Sequence, residues 1–424
     1  MGYLCIKSGH FFDKSICLVL IVFLLLNFNW IYSQDTLRTS IPQGKWVRDR
    51  GPYDPRPYDN IPFQGILFNK KYFDLKNNLW INQGFTYGGY VSANFQWGSQ
   101  GGEPHGISET LILADWQLVQ TEKSDGRIVF GLAHDRTFGY PTTREFADSQ
   151  GLVETPNDLD THPELTFTTL GLLLWSQDWN VAPDRGFGLR VGQIYVPSYF
   201  GAAKYLDDDR RYFMARPLSA AGGAQWVGNN DIGLGTILGA WKRPFYLTLG
   251  VIDGNANRKY PDFSSLGNWE MLYIGEMGLE WDPGGPKEAV LRFTASHLDL
   301  DSNGGSGESL MISGDIQLSS SFALAGRWSK SFRRLTADYQ ELFSLGFLWT
   351  SPLSRGQDLM GLGLFSGKPS KNDLGWESGF EIFYKLQLTN AIGLMPDLQF
   401  WFRDDNRNEN VESWVWGIRS EIEF

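Results

Sequence analysis

Beyond residue 33 the chain has no cysteine, because Cys5 and Cys17 both lie in the N-terminal stretch. A thiol nucleophile, a thiolate metal site and a stabilising disulfide are therefore excluded there. Histidine is scarce. His10, His105, His134, His162 and His297 are the whole supply, and no two are spaced as a ligand pair. No HExxH, GxSxG or P-loop pattern occurs. Basic charge is in deficit, with 37 Lys and Arg against 48 Asp and Glu, a net charge of −11. A nucleic-acid partner is excluded on that balance. Past residue 33 no apolar run approaches the roughly 18 residues that a helical membrane span needs.

The first 33 residues are expected to leave the fold. Lys7 and Lys14 give a weakly positive start, Ile16 to Leu26 is apolar, and Ser33 is a small residue before Gln34. That is the layout of a secretory signal; an uncleaved anchor is the rival reading. Setting aside Lys7, Lys14 and Asp13 leaves 35 basic and 47 acidic residues, net −12. Such a mature chain either is soluble beyond the inner membrane or crosses a membrane as strands.

What is abundant is glycine, 48 residues, and aromatic side chains, 15%. With a mean hydropathy of −0.27, many aromatics on a polar average suit a barrel that is apolar outside and wet inside. The last segment is the clearest. In 414–424, Trp414, Trp416, Ile418 and Ile422 alternate with positions that carry Arg419, Glu421 and Glu423. A period of two marks a strand with one greasy face and one charged face. The same alternation recurs upstream, for example over Phe380, Ile382, Tyr384 and Leu386 against Glu381, Lys385 and Gln387. In a dry core, charges repeated in one phase would be costly; in a water-filled lumen they cost little.

The fold class expected is all-β: a transmembrane antiparallel barrel of about 16 strands in an up-and-down meander, spanning 85–424. Span 223–241 is read as one long strand with a bulge or bend at Asn229-Asn230-Asp231. Counting strands back from the C-terminus puts the long connections 136–165, 197–222 and 254–269 at one end, as outside loops, and the short turns at the other. Residues 34–84, with Pro52-Tyr53-Asp54-Pro55-Arg56-Pro57-Tyr58, are a periplasmic segment or a short plug. A barrel of this size leaves an aqueous channel, so the expected function is passive passage of small hydrophilic solutes, not catalysis.

The lumen-phase candidates are Arg190, Arg292, Arg327, Glu381, Lys385, Arg419 and Glu421. Fixed charges of both signs set up a transverse field that orients dipolar solutes, and sugars suit such a setting. Loop 197–222 offers Asp207, Asp208, Asp209, Arg210, Arg211 and Arg216 as a constriction. Loop 136–165 offers Arg144, Glu145, Asp148, Glu154, Asp158, Asp160 and His162. For each of these residues the alternative is a solvated charge with no role beyond keeping the surface wet. Asp299-Leu300-Asp301-Ser302-Asn303-Gly304 begins like a calcium loop but has Leu310 at the twelfth position, so it is read as a hairpin loop. No cofactor or metal is expected, and the partners are solutes, outer-membrane lipid and the barrel-assembly machinery. Monomer and trimer both remain open.

Three stretches resemble the carbohydrate-selective porins of Gram-negative outer membranes, the OprB-like family. One is Glu381-Ile382-Phe383-Tyr384-Lys385-Leu386-Gln387-Leu388-Thr389 running into Leu394-Met395-Pro396-Asp397-Leu398-Gln399-Phe400, similar to the family's penultimate hairpin. The others are Leu189-Arg190-Val191-Gly192-Gln193 and Leu79-Trp80-Ile81-Asn82-Gln83-Gly84-Phe85. Phe424 resembles the terminal signal for barrel insertion. The resemblance implies a sixteen-stranded, sugar-permeable channel in the outer membrane. The chain departs from the family in running Trp401-Phe402-Arg403 where a further proline is usual, and in keeping only Gly44-Lys45-Trp46 of an early glycine-rich stretch. A general or anion-biased porin without sugar selectivity and a structural barrel with a plugged lumen are the alternatives.

Overall fold

The computed structural model describes residues 70–424 apart from 140, 160–164, 208–209, 225–230, 257–258, 264, 283–286, 301–304, 334–335, 354–357, 372–373, 390 and 405–409. The proposed signal, most of 34–84, and Asp301 to Gly304 of the calcium-like loop lie outside the described residues.

A helix, α1 (Lys70–Gln83), leads into the strands β1 (Phe85–Gly98), β2 (His105–Gln120), β3 (Ser124–Thr137), β4 (Thr166–Ala182), β5 (Arg185–Tyr195), β6 (Ile232–Lys242), β7 (Phe245–Asp253) and β8 (Met271–Trp281). The strands β9 (Ala289–Leu300), β10 (Gly305–Gln317), β11 (Phe322–Ser331), β12 (Tyr339–Thr350), β13 (Leu359–Pro369), β14 (Glu377–Gln387), β15 (Ile392–Arg403) and β16 (Val411–Glu423) follow. Each pairs antiparallel with its sequence neighbours, and β1 pairs with β16 to close the barrel. Closure leaves no strand edge unpaired. It is completed by the last residue: Phe424 and Gly89 exchange backbone hydrogen bonds of 3.0 and 2.9 Å.

The strands form where the sequence alternates. On β16, Trp414, Trp416, Ile418 and Ile422 point outward and are exposed, whereas Ser413, Val415, Arg419 and Glu421 point inward and are buried. The outward aromatics gather at both ends of the strands, as interfacial girdles do. Phe322, Phe347 and Trp349 cluster at one end, with centroids 5.6 and 5.7 Å from Phe322. Phe380, Phe400 and Trp414 cluster at the other, with Phe400 and Trp414 4.7 Å apart.

The short and long connections sort to opposite ends as the sequence predicts. Residues 183–184 and 243–244 are two-residue turns at one end; 138–165 and 196–231 are long connections at the other. One expectation fails. Gly223, Ala224 and Asp231 are not in a strand, and β6 starts only at Ile232. Asp231 has a φ of 60°, outside the range an extended residue adopts, and stops the strand there. Asn229 and Asn230 lie outside the described residues.

Of residues 34–84, α1 is described. Its Lys76 amine lies 5.5 and 5.3 Å from the ring centres of Tyr72 and Tyr87, and Tyr87 alternates with the inward Thr86 and Gly88. Burial raises the Tyr72 hydroxyl's pKa, and Tyr87 adds to the effect.

Candidate functional site in the barrel lumen

The two longest connections turn into the barrel and fill part of it. In 138–165 a short helix, α2 (Thr143–Ser149), begins with a capping box: the Thr142 amide donates to Glu145 Oε2 at 2.9 Å, and the Glu145 amide donates to Thr142 Oγ1 at 3.3 Å. The helix buries Phe146 and Ala147. Phe146 stacks on His105 of the wall at 5.9 Å, and the His105 ring nitrogens meet Pro141 O at 2.8 Å and Thr143 Oγ1 at 3.0 Å. Further along, Gln96 Nε2 and Gln399 Nε2 both donate to Pro156 O, at 3.0 and 2.8 Å. The Val153 amide donates to Glu377 Oε1 at 2.7 Å.

The connection 196–231 reaches across the lumen, and inward side chains grip its backbone at successive points. The Gly201 amide donates to Glu276 Oε2 at 2.5 Å. The amides of Met214 and Ala215 each donate to Glu381 at 2.8 Å. Arg419 Nη2 donates to Tyr212 O at 2.8 Å. Arg327 pairs with Asp207, and Arg211 with Glu423. The contacts made by Arg419, Arg327 and Arg211 carry a charged donor, which makes them stronger than neutral hydrogen bonds. Apolar contact adds to the grip. Phe213 meets Phe383 of the wall edge to face at 5.2 Å, and packs with Leu206, Ala215 and Leu218 against Ala325, Leu348 and Phe365. Two wall glycines make room for it. A Cβ at Gly346 would lie 2.7 Å from the Phe213 ring, and one at Gly363 2.8 Å from it and 2.4 Å from Leu218. Val196, Tyr199 and Phe200 pack on the opposite apolar wall of Leu172, Ile237 and Ile274.

The two connections meet at Arg216, in a single turn, α3 (Arg216–Ser219). Its Nε lies 3.2 Å from Glu154 Oε2 and 3.7 Å from Asp158 Oδ1, and its Nη2 lies 3.7 Å from Asp338 Oδ2. Burial opposes the Arg216 charge, but Glu154, Asp338 and Asp158 outweigh it and keep the guanidinium protonated. Burial, with repulsion from Asp338, pushes the Glu154 carboxyl up to about 8 against the pull of Arg216 and Arg144. Burial likewise pushes Asp231 up to about 7, again against Arg216.

All seven lumen-phase candidates point inward and are buried, but not as bare charges in open water. Arg190 pairs with Asp178 at 2.9 Å and Arg292 with Asp315 at 2.6 Å, each across neighbouring strands. Lys385 pairs with Glu421. Arg327, Glu381 and Arg419 hold the crossing loop. The fixed charges of both signs expected on the inner wall thus lie next to one another, cation beside anion, so that each pair is compensated locally. Of the constriction candidates, Asp207, Arg211 and Arg216 are paired as described, and the Arg210 guanidinium lies 3.8 Å from the Tyr90 ring centre. Asp208, Asp209, Asp160 and His162 lie outside the described residues. Arg144 pairs with Asp148 at 2.8 Å and donates to Val153 O at 2.7 Å.

Glu276, Glu377, Asp338, His105, Gln96 and Gln399 are not among the sequence candidates, yet they too contact the loops. Glu276 and Glu377 share the inward phase of Glu381, and that phase is the signal that would have found them. Among the described residues no group of three or more potential ligands is placed to hold a metal ion.

The comparisons agree with this geometry. Residues 340–424 match the model of the carbohydrate-selective porin, OprB family. The structure is similar to the high-pH structure of Pseudomonas putida OprB, with a TM-score of 0.65 at 12% identity over 82% of this chain and 96% of that one. It is similar to the low-pH structure with a TM-score of 0.53 at 10% identity, over 84% of this chain and 97% of that one. No curated protein matches the chain. Fold and family match both point to a porin channel rather than an enzyme. The resemblance to the carbohydrate-selective porins of the OprB family therefore holds, in sequence over residues 340–424 and in fold over the closed sixteen-stranded barrel.

Proposed function

We propose that the channel passes small neutral hydrophilic solutes, sugars above all, and that selection happens where 196–231 crosses the lumen. The observation that carries this reading is the pairing of charge on the inner wall. Arg190 with Asp178, Arg292 with Asp315, and Lys385 with Glu421 each place a cation beside an anion. A wall of adjacent opposite charges favours no ion of either sign, yet it presents donors and acceptors to hydroxyl groups. Tyr205 and Tyr212, with ring centres 6.1 Å apart, bring aromatic faces to the same crossing, where apolar sugar faces stack. In this reading Asp207, Asp208, Asp209, Arg210, Arg211 and Arg216 belong to the constriction, and the outer membrane of a Gram-negative bacterium is the site of action.

Single-channel recording of the mature chain in a planar bilayer tests this. Weak ion preference, with conductance reduced by added monosaccharide, is expected. Strong anion preference without sugar block would replace the reading by a general porin. The apolar packing of the two connections inside the lumen gives the plugged-barrel reading its support, and absence of any conductance would favour it.

A further inference from the structure

The outward face of the barrel is apolar between its aromatic ends nearly everywhere. β7 exposes Leu249 and Val251, β12 exposes Phe343, Leu345, Phe347 and Trp349, and β16 exposes Trp416, Ile418 and Ile422. β2, β3 and β4 break the rule. Two cross-strand rows on their outward face are polar throughout: Ser108, Arg136 and Thr166 in one, and Thr110, His134 and Thr168 in the next. Arg136, His134, Thr166 and Thr168 are exposed, and His134 Nδ1 lies 2.8 Å from Thr168 Oγ1.

These rows are not beyond the membrane. The next row towards the long connections is aromatic, with Phe95 and Phe138 stacked at 5.5 Å across Gly106. A Cβ on Gly106 would sit 3.0 Å from one ring and 3.2 Å from the other. The next row the other way is Ile112, Leu132 and Leu170. The polar rows therefore sit inside the apolar band, just below its aromatic edge. By contrast, Lys330, Glu341 and Lys368 on the far wall lie beyond Trp328 and Phe343. A lipid-facing arginine is unfavourable in proportion to its depth, and Arg136 is close enough to Phe138 for its stem to lift the guanidinium to the interface. Among the described residues no Asp or Glu takes an outward position on β1 to β4, although the chain carries a net charge of −11. The face is cationic, rich in hydroxyls and free of acid.

We propose that this face seats the phosphate of a membrane lipid. Arg136 donates to the phosphate oxygens as a fork, His134 is placed to donate beside it, and the Ser108 and Thr166 hydroxyls complete the seat, with Phe95 and Phe138 bordering it towards the interface. The inference rests on the outer wall of the barrel alone and is independent of what the lumen passes.

The test uses the full chain in nanodiscs made of equal parts phosphatidylcholine and phosphatidylglycerol, released for native mass spectrometry with lipid adducts counted. Phosphatidylglycerol, whose phosphate is not offset by a choline, is expected to be retained preferentially. Arg136→Gln is expected to lower that retention about five-fold, the loss of one surface cation's attraction to an anionic lipid. Lys368→Gln on the far wall is expected to leave retention unchanged, and bilayer conductance of Arg136→Gln is expected to match the unsubstituted chain. If Arg136→Gln does not fold, His134→Gln reads the same seat. Equal retention of the two lipids, or retention indifferent to both substitutions, overturns the proposal. A doubled mass that Arg136→Gln abolishes overturns it too and assigns the face to a second copy of the chain.

Discussion

Glu381 on β14 accepts a hydrogen bond from the Met214 amide at 2.8 Å, so that a carboxylate of the wall holds the backbone of a loop 167 positions away. Its other oxygen takes the Ala215 amide at 2.8 Å. A hydrogen bond contributes roughly 0.5–1.5 kcal/mol net, and leaving a buried donor unsatisfied costs about 1–3 kcal/mol. Glu381→Ala removes both acceptors and leaves two buried amides without them. The expected outcome is a loosened crossing, seen as a larger and noisier single-channel conductance with weaker block by sugar. Glu381→Gln keeps one acceptor and is expected to fall between. Conductance and noise that match the unsubstituted chain would show that Glu381 does not set the aperture.

The sequence made the barrel legible and its interior only half so. Strand number, closure by the last segment and the inward phase of Arg190 or Glu381 follow from alternation, a local property with period two. The partner of Glu381 is two backbone amides in a distant loop, and backbone amides leave no mark on a sequence. The same holds for Gln96 and Gln399, which converge on the Pro156 carbonyl. The stretch 223–231 misled for a different reason. Its glycines and apolar residues imitate a strand, and only the positive φ of Asp231 shows where the ladder begins.

Phe213 seats in a notch made by two glycines, and filling the notch is expected to cost stability. Gly363→Val puts a branched side chain where even a Cβ would lie 2.8 Å from the ring. Overpacking of this kind costs about 1–3 kcal/mol. Thermal unfolding of the detergent-solubilised barrel is expected at a lower temperature, and adding Phe213→Ala is expected to recover part of the loss. Unfolding temperatures that fall further in the double variant would mean that the ring and the glycine do not share this space.

The junction of the two connections is expected to respond to pH. Glu154 is pushed up to about 8 by burial, above the ordinary carboxyl value it regains when the loops separate. A raised carboxyl binds its proton more tightly when docked. Docking is therefore strongest below the ordinary carboxyl range and weakens as pH rises through about 8. Asp231, pushed up to about 7, acts in the same direction. Hydrogen exchange of the amides in 150–158 and 213–219 is expected to accelerate, beyond its intrinsic pH dependence, between mildly acidic and alkaline buffer. Glu154→Gln, which imitates the protonated acid, is expected to flatten the change. Corrected exchange rates that do not vary with pH would argue that Glu154 stays in one protonation state throughout.

Arg190 supplies the sharpest test of a paired lumen. It is buried on the inner wall with Asp178 at 2.9 Å, so its charge is cancelled locally and the pair adds little net field along the pore. Arg190→Glu would place two carboxylates side by side. The reversal potential in a salt gradient is then expected to move towards cation preference, and the adjacent acids are expected to destabilise the barrel. Replacing both partners at once, Arg190→Gln with Asp178→Asn, removes two opposite charges and is expected to leave ion preference where it was. A pair truncated on one side alone leaves the other charge buried and uncompensated, which costs roughly 3–5 kcal/mol, so Asp178→Asn alone is expected to be less stable than the double variant. If the double variant shifted the reversal potential as far as Arg190→Glu does, Arg190 would be acting on the permeating ion as a single charge, and the compensated-wall account of selectivity would have to be abandoned.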